Sequence, residues 1–334
     1  MNTKRIISLV ASLALVLSLS VGLTGCGDKA AQDDNQGSTD GEGTKYTVGI
    51  CQLVQHEALD AATQGFIDAL NEALPGQVEI VNKNASGDSA NCSTIVNGFV
   101  SDGVDLIMAN ATPALTAAAA ATSDIPILGT SITAYGVALD IDDFNGTVGG
   151  NISGTSDLAD LEAQANMISE WFPEAKKVGL LFCSAEPNSR YQIDEVRKAL
   201  EAQGVTCEEF AFTDSNDVSS VTQKAADFSD VVYIPTDNTA ASNTEAIANV
   251  LIPAGVPAIC GEEGLCRGCG VATLSISYYD LGVTTGKMAA KILKGEANIS
   301  EMPVEYTDAT PKYNASICDQ LGITPLDGYE AIEG

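Results

Sequence analysis

Residues 46–76 read YTVGICQLVQHEALDAATQGFIDALNEALPG, and this stretch sets the pattern for the rest of the chain. Residues 46–51 form a short run rich in apolar and β-branched side chains, which favours a strand. Residues 57–74 then carry apolar side chains at helical spacing, including Leu59, Phe66 and Leu70, and Pro75-Gly76 ends the run. The stretch therefore predicts one strand followed by one helix.

The same alternation recurs along the chain. Further strands are predicted at residues 78–81, 104–109, 125–128, 177–182, 205–210, 230–234, 257–260 and 313–318. Further helices are predicted at residues 89–100, 113–121, 157–171, 188–203, 218–228, 239–254 and 278–293. Near-continuous apolar strands joined by helices are typical of parallel sheets buried on both faces. Two such series, separated near Gly154, predict an α/β chain with two lobes.

Composition excludes several classes of function. The 334 residues include 45 acidic and 16 basic side chains, for a net charge of −29. A field of this sign repels a phosphate backbone, so no nucleic-acid partner is expected. With 45% hydrophobic residues the chain can bury a full core. A multi-histidine metal site cannot be built from one histidine, His56, and neither a metal nor a cofactor is predicted.

The first 26 residues have the features of an export signal. Lys4 and Arg5 precede an apolar run at residues 6–22, which is short for a membrane span. Leu23-Thr24-Gly25-Cys26 then resembles the bacterial lipoprotein box, whose cysteine becomes the lipidated first residue of the mature chain. We expect a signal peptide at residues 1–25 and lipidation at Cys26. An uncleaved membrane anchor and an ordinary secretory peptide remain alternatives.

Residues 26–45 are predicted to be a flexible acidic tether. Residues 27–44 contain no branched aliphatic side chain, so burial cannot offset the entropy of ordering them. Removal of residues 1–25 takes away two basic side chains and no acidic one, which leaves a net charge of −31. The expected location is the extracytoplasmic face of the cell membrane, held there by lipid.

Polar loops follow the predicted strands and open the predicted helices. These loops are residues 52–57, 109–113, 130–133, 184–188 and 235–239. Small ligands bind at the carboxyl ends of parallel strands, where helix N-termini present unpaired N–H groups that suit a carboxylate. The alternative is that Thr112, Ser156 and Asp237 are simple helix N-caps, a role that these residue types favour.

Several motifs carry a resemblance to one family. They are residues 149–157 (GGNISGTSD), 234–239 (IPTDNT), 278–282 (YYDLG), 285–290 (TGKMAA), 111–114 (ATPA) and 59–62 (LDAA), with His56 upstream. Together they resemble the bacterial ABC-transporter substrate-binding family, which includes tryptophan-binding and related aromatic amino-acid-binding lipoproteins. The resemblance covers residues 46 to about 324.

The resemblance implies a type I periplasmic-binding-protein fold, with two Rossmann-like lobes, parallel sheets and a hinge of three crossings. The expected lobes are residues 46–153 plus about 275–303, and residues 154–274 plus about 304–334. It also implies a solute-binding protein, not an enzyme, that delivers an amino acid to an ABC permease and its ATPase. An aromatic amino acid is favoured, and a monomer is expected.

The resemblance also suggests how an amino acid is held. Thr112 and Ser156, each at the start of a predicted helix, would face the α-carboxylate. Asp237, with Glu262 as a further candidate, would take the α-ammonium, and Ser184 and Asn188 would meet the ligand from the second lobe. The candidate ligand-binding residues are Gln52, His56, Thr112, Ser131, Ser156, Asp157, Ser184, Asn188, Asp237, Asn238 and Glu262.

Two positions depart from the family pattern. Glu57 follows His56 where the family usually has Pro, and Ala134-Tyr135 stands where Asp-Pro is frequent. Both changes fall near the expected cleft mouth, where they bear on the specificity for the ligand side chain. Tyr135 is interpreted either as a ring that stacks on an aromatic ligand or as a residue of the lobe surface.

Cysteine use leaves a further alternative open. Eight cysteines follow Cys26, and Cys266-Arg267-Gly268-Cys269 forms a C-x-x-C motif close to Cys260. Free or singly paired thiols, a local disulfide, and a metal or redox site are all compatible with this spacing. Two other functions therefore stay open: an extracellular redox or metal protein using residues 260–269, and a ligand-sensing domain that serves a signalling partner.

Overall fold

The computed structural model describes residues 45–332. The predicted signal peptide, the lipidation site Cys26 and all but the last residue of the predicted tether lie outside this range. The described residues belong to one compact unit. Among them, no helix has the length and apolar character needed to cross a bilayer.

Strands and helices alternate along the described chain. The strands are β1 (Tyr46–Gln52), β2 (Val78–Asn84), β3 (Leu106–Asn110), β4 (Ile127–Ile132), β5 (Ile152–Ser156), β6 (Lys177–Cys183), β7 (Thr206–Phe212), β8 (Val231–Ile234), β9 (Ala258–Cys260), β10 (Ala272–Ser275), β11 (Glu305–Tyr306), β12 (Thr310–Tyr313) and β13 (Glu330–Ala331). The α-helices are α1 (Glu57–Ala73), α2 (Ser89–Asp102), α3 (Thr112–Ala121), α4 (Tyr135–Ala138), α5 (Leu161–Trp171), α6 (Pro187–Ala202), α7 (Val218–Phe228), α8 (Asn238–Ala241), α9 (Thr244–Ala254), α10 (Glu263–Cys269), α11 (Tyr278–Leu293) and α12 (Ala315–Leu321). A short 3-10 helix spans Ile299–Glu301.

The strands form two sheets. The first has the order β11-β5-β4-β3-β1-β2 and the second the order β13-β12-β10-β9-β8-β6-β7. All pairings of named strands among the described residues are parallel except that of β10 with β12. The central strands β3 and β4 are buried along their whole length, as helices on both faces require. The predicted α/β class is confirmed.

The late helix α11 packs on the first sheet, next to α1. Met288 and Ala289 of α11 share one apolar cluster with Phe66 and Leu70 of α1. The two helices approach closely because glycine stands at their contact: a Cβ on Gly282 would lie 2.0 Å from the carbonyl oxygen of Ala62. The motif G-x-x-x-G-K at residues 282–287 thus serves helix packing.

The chain passes three times between the first sheet with its helices and the second sheet with its helices. The crossings lie between β5 and α5, between β10 and α11, and between β11 and β12. Both β5 and β11 pair within the first sheet. The residue bounds of the two lobes remain a prediction.

Three predicted elements are wrong in part. Residues 313–318 are not a strand: Asn314 accepts a hydrogen bond from the Ile317 N–H and starts α12, while β12 ends at Tyr313. The helix predicted from residue 157 begins at Leu161, because β5 ends at Ser156, residues 157–160 form a loop, and Asp160 caps the helix. The helix predicted at residues 239–254 is divided into α8 and α9.

Candidate ligand-binding site

A narrow, nearly closed cavity of about 10 Å³ lies where the carboxyl ends of the two sheets meet. It brings together seven of the eleven predicted ligand-binding residues: His56, Ser131, Asp157, Asn188, Asp237, Asn238 and Glu262. Leu59, Thr133, Thr236, Ala241 and Tyr278 complete the lining. Among these residues there is no lysine or arginine, so three carboxylates dominate the charge of the site.

The first sheet supplies three polar groups. His56 precedes α1, Ser131 lies at the end of β4, and Asp157 directly follows β5. Ser131 has a φ of +55°, unusual for a residue other than glycine, at the point where the pairing of β4 with β5 shifts register. Backbone strain of this kind is found at functional sites. The Ser131 hydroxyl is buried and has no hydrogen-bond partner.

Asp157 is the carboxylate with an unused acceptor. Its Oδ2 accepts a hydrogen bond of 2.9 Å from the hydroxyl of Tyr278, whereas its Oδ1 is buried without a partner. Burial raises the pKa of Asp157 to about 6, partly offset by the hydrogen bond from Tyr278. The side chain is therefore poised to gain from a donor with positive charge.

Asp237 opens α8 and is held by main-chain donors. Its Oδ1 accepts from the Ala240 N–H at 2.8 Å and its Oδ2 from the Cys183 N–H at 2.6 Å. Burial first, and then the charge of Glu186, raise the pKa of Asp237 to about 8. Asp237 thus acts as an N-cap, as the alternative interpretation predicted, and also lines the cavity.

Like Asp237, Glu262 is the N-cap of a helix, here α10, and also lines the cavity. Its carboxylate accepts hydrogen bonds from the N–H groups of Gly264 and Leu265. Burial raises the pKa of Glu262 to about 7. Each of the three acidic side chains is at most 5% exposed, so an ion paired with them would be almost free of solvent screening.

His56 connects the two halves of the site. Its Nε2 lies 3.2 Å from the Oδ1 of Asn238, the first residue of α8. Its Nδ1 is buried and has no partner among the described residues. Burial lowers the pKa of His56, which keeps the ring neutral at neutral pH.

Four of the predicted site residues do not line the cavity. Gln52 donates to the Val54 carbonyl and to Asp60, and Ser184 donates to the Phe212 carbonyl. Thr112 is the first residue of α3. Ser156 is the last residue of β5, not the start of a helix, and its hydroxyl donates to the Thr133 carbonyl at 3.1 Å.

Five residues of the cavity lining were not among the predicted ligand residues, and neither was the neighbouring Glu186. Tyr278 and Thr133 line the cavity, and Glu186 lies behind it, 5% exposed, in the loop before α6. Tyr278 belongs to one of the family motifs, so a signal for it was present. For Glu186 the only sequence signal is its position between Ser184 and Asn188.

Tyr135 takes neither of its two predicted positions. Its side chain is 1% exposed, its ring stacks on Phe144 with 6.3 Å between centroids, and its hydroxyl donates to the Thr155 carbonyl. It belongs to the core of the first sheet and does not line the cavity. Tyr135 therefore stabilises β5 from within the core through its hydrogen bond to Thr155.

The cysteines of the C-x-x-C motif are buried thiols. All eight cysteines among the described residues are unpaired, and Cys260, Cys266 and Cys269 lie in one apolar cluster. Burial raises the pKa of Cys260 and of Cys266 well above the usual value. Buried thiols of this kind are poor nucleophiles, which disfavours redox chemistry at residues 260–269. Within residues 45–332 no cluster of three or more metal-ligating side chains was found.

Fold and cavity together define a two-lobed binding protein, and the chain belongs to the ABC transporter substrate binding protein family, whose sequence model matches residues 47–328. This confirms the resemblance found in the motifs. It also confirms that the protein is a solute-binding protein and not an enzyme. Membership implies an extracytoplasmic location and a permease partner.

Three similar proteins illustrate the relationship. A tyrosine-binding protein of Clostridioides difficile (strain R20291) is 33% identical over 319 residues, which cover 92% of this chain and 89% of that protein. A Streptococcus pneumoniae ABC domain in complex with L-Trp is 31% identical with a TM-score of 0.82, and the match covers 86% of this chain and all of that one.

The third is a ligand-free, open structure of a substrate binding protein with adhesive properties from Clostridium difficile. It is 33% identical with a TM-score of 0.65, over 86% of this chain and 99% of that one. A branched-chain amino acid binding protein from Streptococcus pneumoniae, 17% identical with a TM-score of 0.57, shares the fold. The type I periplasmic-binding-protein fold is confirmed.

Proposed function

We propose that this protein is a lipid-anchored solute-binding protein of an ABC importer that binds an aromatic amino acid in the interlobe cavity. The observation that carries the proposal is the set of buried acceptor atoms without partners in that cavity: His56 Nδ1, Asp157 Oδ1 and Asn188 Oδ1. A buried polar atom without a partner costs free energy, so the site is built to receive donors.

An α-ammonium group satisfies this requirement. It carries three N–H donors and a positive charge, and the cavity offers acceptors together with Asp157, Asp237 and Glu262. Charge-assisted hydrogen bonds to a buried carboxylate are short and strong. Asp157 is the proposed principal partner, since both oxygens of Asp237 and of Glu262 already accept main-chain hydrogen bonds.

The α-carboxylate needs donors in a cavity that has no cation in its lining. Ser131 and Thr133, at the end of β4, present hydroxyl groups there, and the Ser131 hydroxyl is unpaired. We assign the α-carboxylate to these two residues. Thr112 and Ser156, predicted for this role from the resemblance, do not line the cavity and are less suited to it.

The apolar part of the lining suits an aromatic side chain. Leu59, Ala241 and Tyr278 face the cavity from α1, α8 and α11. Two similar proteins point the same way: one is named for binding tyrosine, and the other was solved with L-Trp.

We infer that the described conformation is a closed one, in which the cavity is nearly filled by its own side chains. The L-Trp complex is the less identical of the two relatives, yet it superposes with a TM-score of 0.82, against 0.65 for the open structure. Closure on the ligand would then be the change that the permease recognises.

The anchor rests on sequence alone. The lipoprotein box at Cys26 and the tether at residues 27–44 support a lipid-held protein that can reach a permease on the same membrane. Mass spectrometry of the N-terminal peptide of the membrane fraction should find an acylated Cys26. Cys26→Ser should release the protein from that fraction.

The central experiment is a thermal-shift panel of the twenty amino acids on residues 27–334. At a ligand concentration of 100 Kd, binding stabilises the folded state by about 2.7 kcal/mol, or about 5 °C in Tm. We expect an aromatic amino acid to give this shift and Asp157→Asn to remove most of it. The control is Asp194→Asn, at an exposed ion pair on α6.

A panel without any shift would contradict the proposal. A shift with an intact site but neighbouring genes for a receptor, in place of a permease and an ATPase, would favour the ligand-sensing alternative.

A further inference from the structure

Glu186 is a buried carboxylate surrounded only by donors. Its Oε1 accepts from the Thr239 N–H at 2.9 Å and from the Thr239 hydroxyl at 2.8 Å. Its Oε2 accepts from the Asn238 N–H at 3.1 Å and from the side-chain amides of Asn238 and Asn188, at 2.7 and 3.2 Å. Glu186 does not line the cavity, and the roles proposed above do not use it.

These contacts determine how the Asn238 amide is oriented. A carboxylate can only accept, so the NH₂ group of Asn238 must point at Glu186 and its Oδ1 must point away. The Asn188 amide is oriented in the same sense, since its NH₂ group also donates to the Thr236 carbonyl. The Oδ1 atoms of Asn188 and Asn238 therefore point away from Glu186.

The orientation of Asn238 determines the tautomer of His56. The Oδ1 of Asn238 is an acceptor, so the His56 Nε2 that lies 3.2 Å from it must carry the proton. Burial lowers the pKa of His56 and keeps the ring neutral. A neutral ring with the proton on Nε2 has a lone pair on Nδ1, and Nδ1 is the atom that lacks a partner.

We propose that Glu186 is a positioning residue that makes the cavity select an ammonium group, because it turns His56 and Asn188 into acceptors. This inference rests on the proposed function for its ligand class. Without Glu186, the Asn238 amide could turn over and the imidazole could present either an N–H or a lone pair to the ligand, while Asn188 would be oriented by the Thr236 carbonyl alone. With it, His56 Nδ1, Asn188 Oδ1 and Asp157 Oδ1 all require donors. A ligand with a hydroxyl group in place of the ammonium can satisfy fewer of them.

The chain has one histidine, so the tautomer can be measured directly. Nitrogen-15 NMR of residues 27–334, labelled at histidine and prepared without a histidine tag, gives the spectrum of His56 alone. We expect the ligand-free wild type to carry its proton on Nε2 at pH 7.5. A proton on Nδ1 in the wild type overturns the proposal, and this measurement needs no substitution.

The variant Glu186→Gln offers a donor where Glu186 offers only acceptors. We expect the proton of His56 to shift toward Nδ1. We also expect the preference for L-tyrosine over its α-hydroxy acid counterpart, 3-(4-hydroxyphenyl)lactate, to fall at least tenfold by calorimetry. A merely structural role would lower Tm and leave both readouts unchanged, and that result overturns the proposal.

The matched control is Glu209→Gln. Glu209 is a partly buried carboxylate of β7 that is held by Arg190 and Arg197, away from the cavity. It should leave both the tautomer and the ligand preference as in the wild type. A wild type that shows the Nε2 tautomer but binds no amino acid would contradict the proposed function, while it would support the arrangement that Glu186 imposes.

Discussion

Glu57 at the start of α1 and Arg267 on α10 form an ion pair between the two halves of the molecule, with Nε of Arg267 at 3.0 Å from both carboxylate oxygens of Glu57. Arg267 also donates to Glu263, which in turn accepts from Lys312. Glu57 is the residue that replaces the proline usual after the histidine of the family motif. Glu57 therefore makes a contact that a proline cannot make, and we expect this contact to break if the two halves move apart.

Glu57→Gln is expected to weaken ligand binding by up to about fivefold, because a partly exposed ion pair contributes about 0.2–1 kcal/mol to the closed state. The loss should be smaller at high salt, where the pair is screened. Calorimetric Kd values at low and high salt measure both effects. Glu79→Gln, which breaks the pair with Lys45 within the first sheet's lobe, is the control and should leave Kd unchanged. Equal effects of the two substitutions would contradict a role in closure.

Ligand affinity should fall as the pH is lowered from 8 to 5. An ammonium group needs ionised carboxylates, and burial raises the pKa of Asp157 to about 6 and that of Glu262 to about 7. Below these values protons compete with the ligand, and Kd should rise up to about tenfold per pH unit for each coupled proton. Calorimetry across this range tests the trend. Asp157→Asn should flatten it, and a Kd independent of pH would exclude these groups as partners.

The ligand-free protein should show the opposite trend in stability. A carboxyl whose pKa is higher in the folded state than in the unfolded one contributes stability that is present at low pH and lost as the pH rises through the folded pKa. For Asp157 and Glu262 the loss falls between their ordinary values, 3.8 and 4.5, and about 6 and 7. Melting curves with and without ligand from pH 5 to 8 should therefore diverge. Parallel curves would count against buried, unpaired carboxyls.

Gly282→Ala is expected to destabilise the protein by about 1–3 kcal/mol, because the added Cβ would lie 2.0 Å from the Ala62 carbonyl oxygen and would force α1 and α11 apart. Chemical denaturation measures the change. Gly98→Ala on α2 is the matched control: a Cβ there meets nothing within 4 Å, and the loss of glycine from a helix should stabilise by up to about 1 kcal/mol. The two substitutions should thus act in opposite directions.

Periodicity and motif spacing were sufficient for most of the fold. The helices α1, α7 and α11 were predicted to within a residue of their observed bounds, since each has a regular apolar face and a clear end. Residues 313–318 failed because a cap at Asn314 decides the structure there, and hydrophobicity does not. The strand β5 was not predicted, because its small residues, including Ser153 and Gly154, carry no strand pattern.

From the sequence pattern, only polar residues in loops that follow predicted strands could be placed at the site. Asp237 could be placed near the ligand from its position in the loop after β8, whereas Asp157 and Glu262 were placed there only by the family resemblance. Which oxygens are already occupied by main-chain donors could not be predicted, because it depends on the turn of each helix start. Ser156 illustrates the limit. It is next to Asp157 in sequence, yet its hydroxyl donates to the Thr133 carbonyl just after the neighbouring strand β4 and does not line the cavity.

Asp157 and Tyr278, joined by a hydrogen bond of 2.9 Å, lie on two of the three segments that cross between the sheets. The carboxylate assigned to the ligand therefore lies at one of the crossings between the two halves. We expect these crossings to act as the hinge, so that a small adjustment around the ammonium would produce a larger displacement at the rim near Glu57 and Arg267. Ligand binding and the movement of the rim would then be coupled directly. A permease that contacts the rim could respond to the bound ligand without touching it.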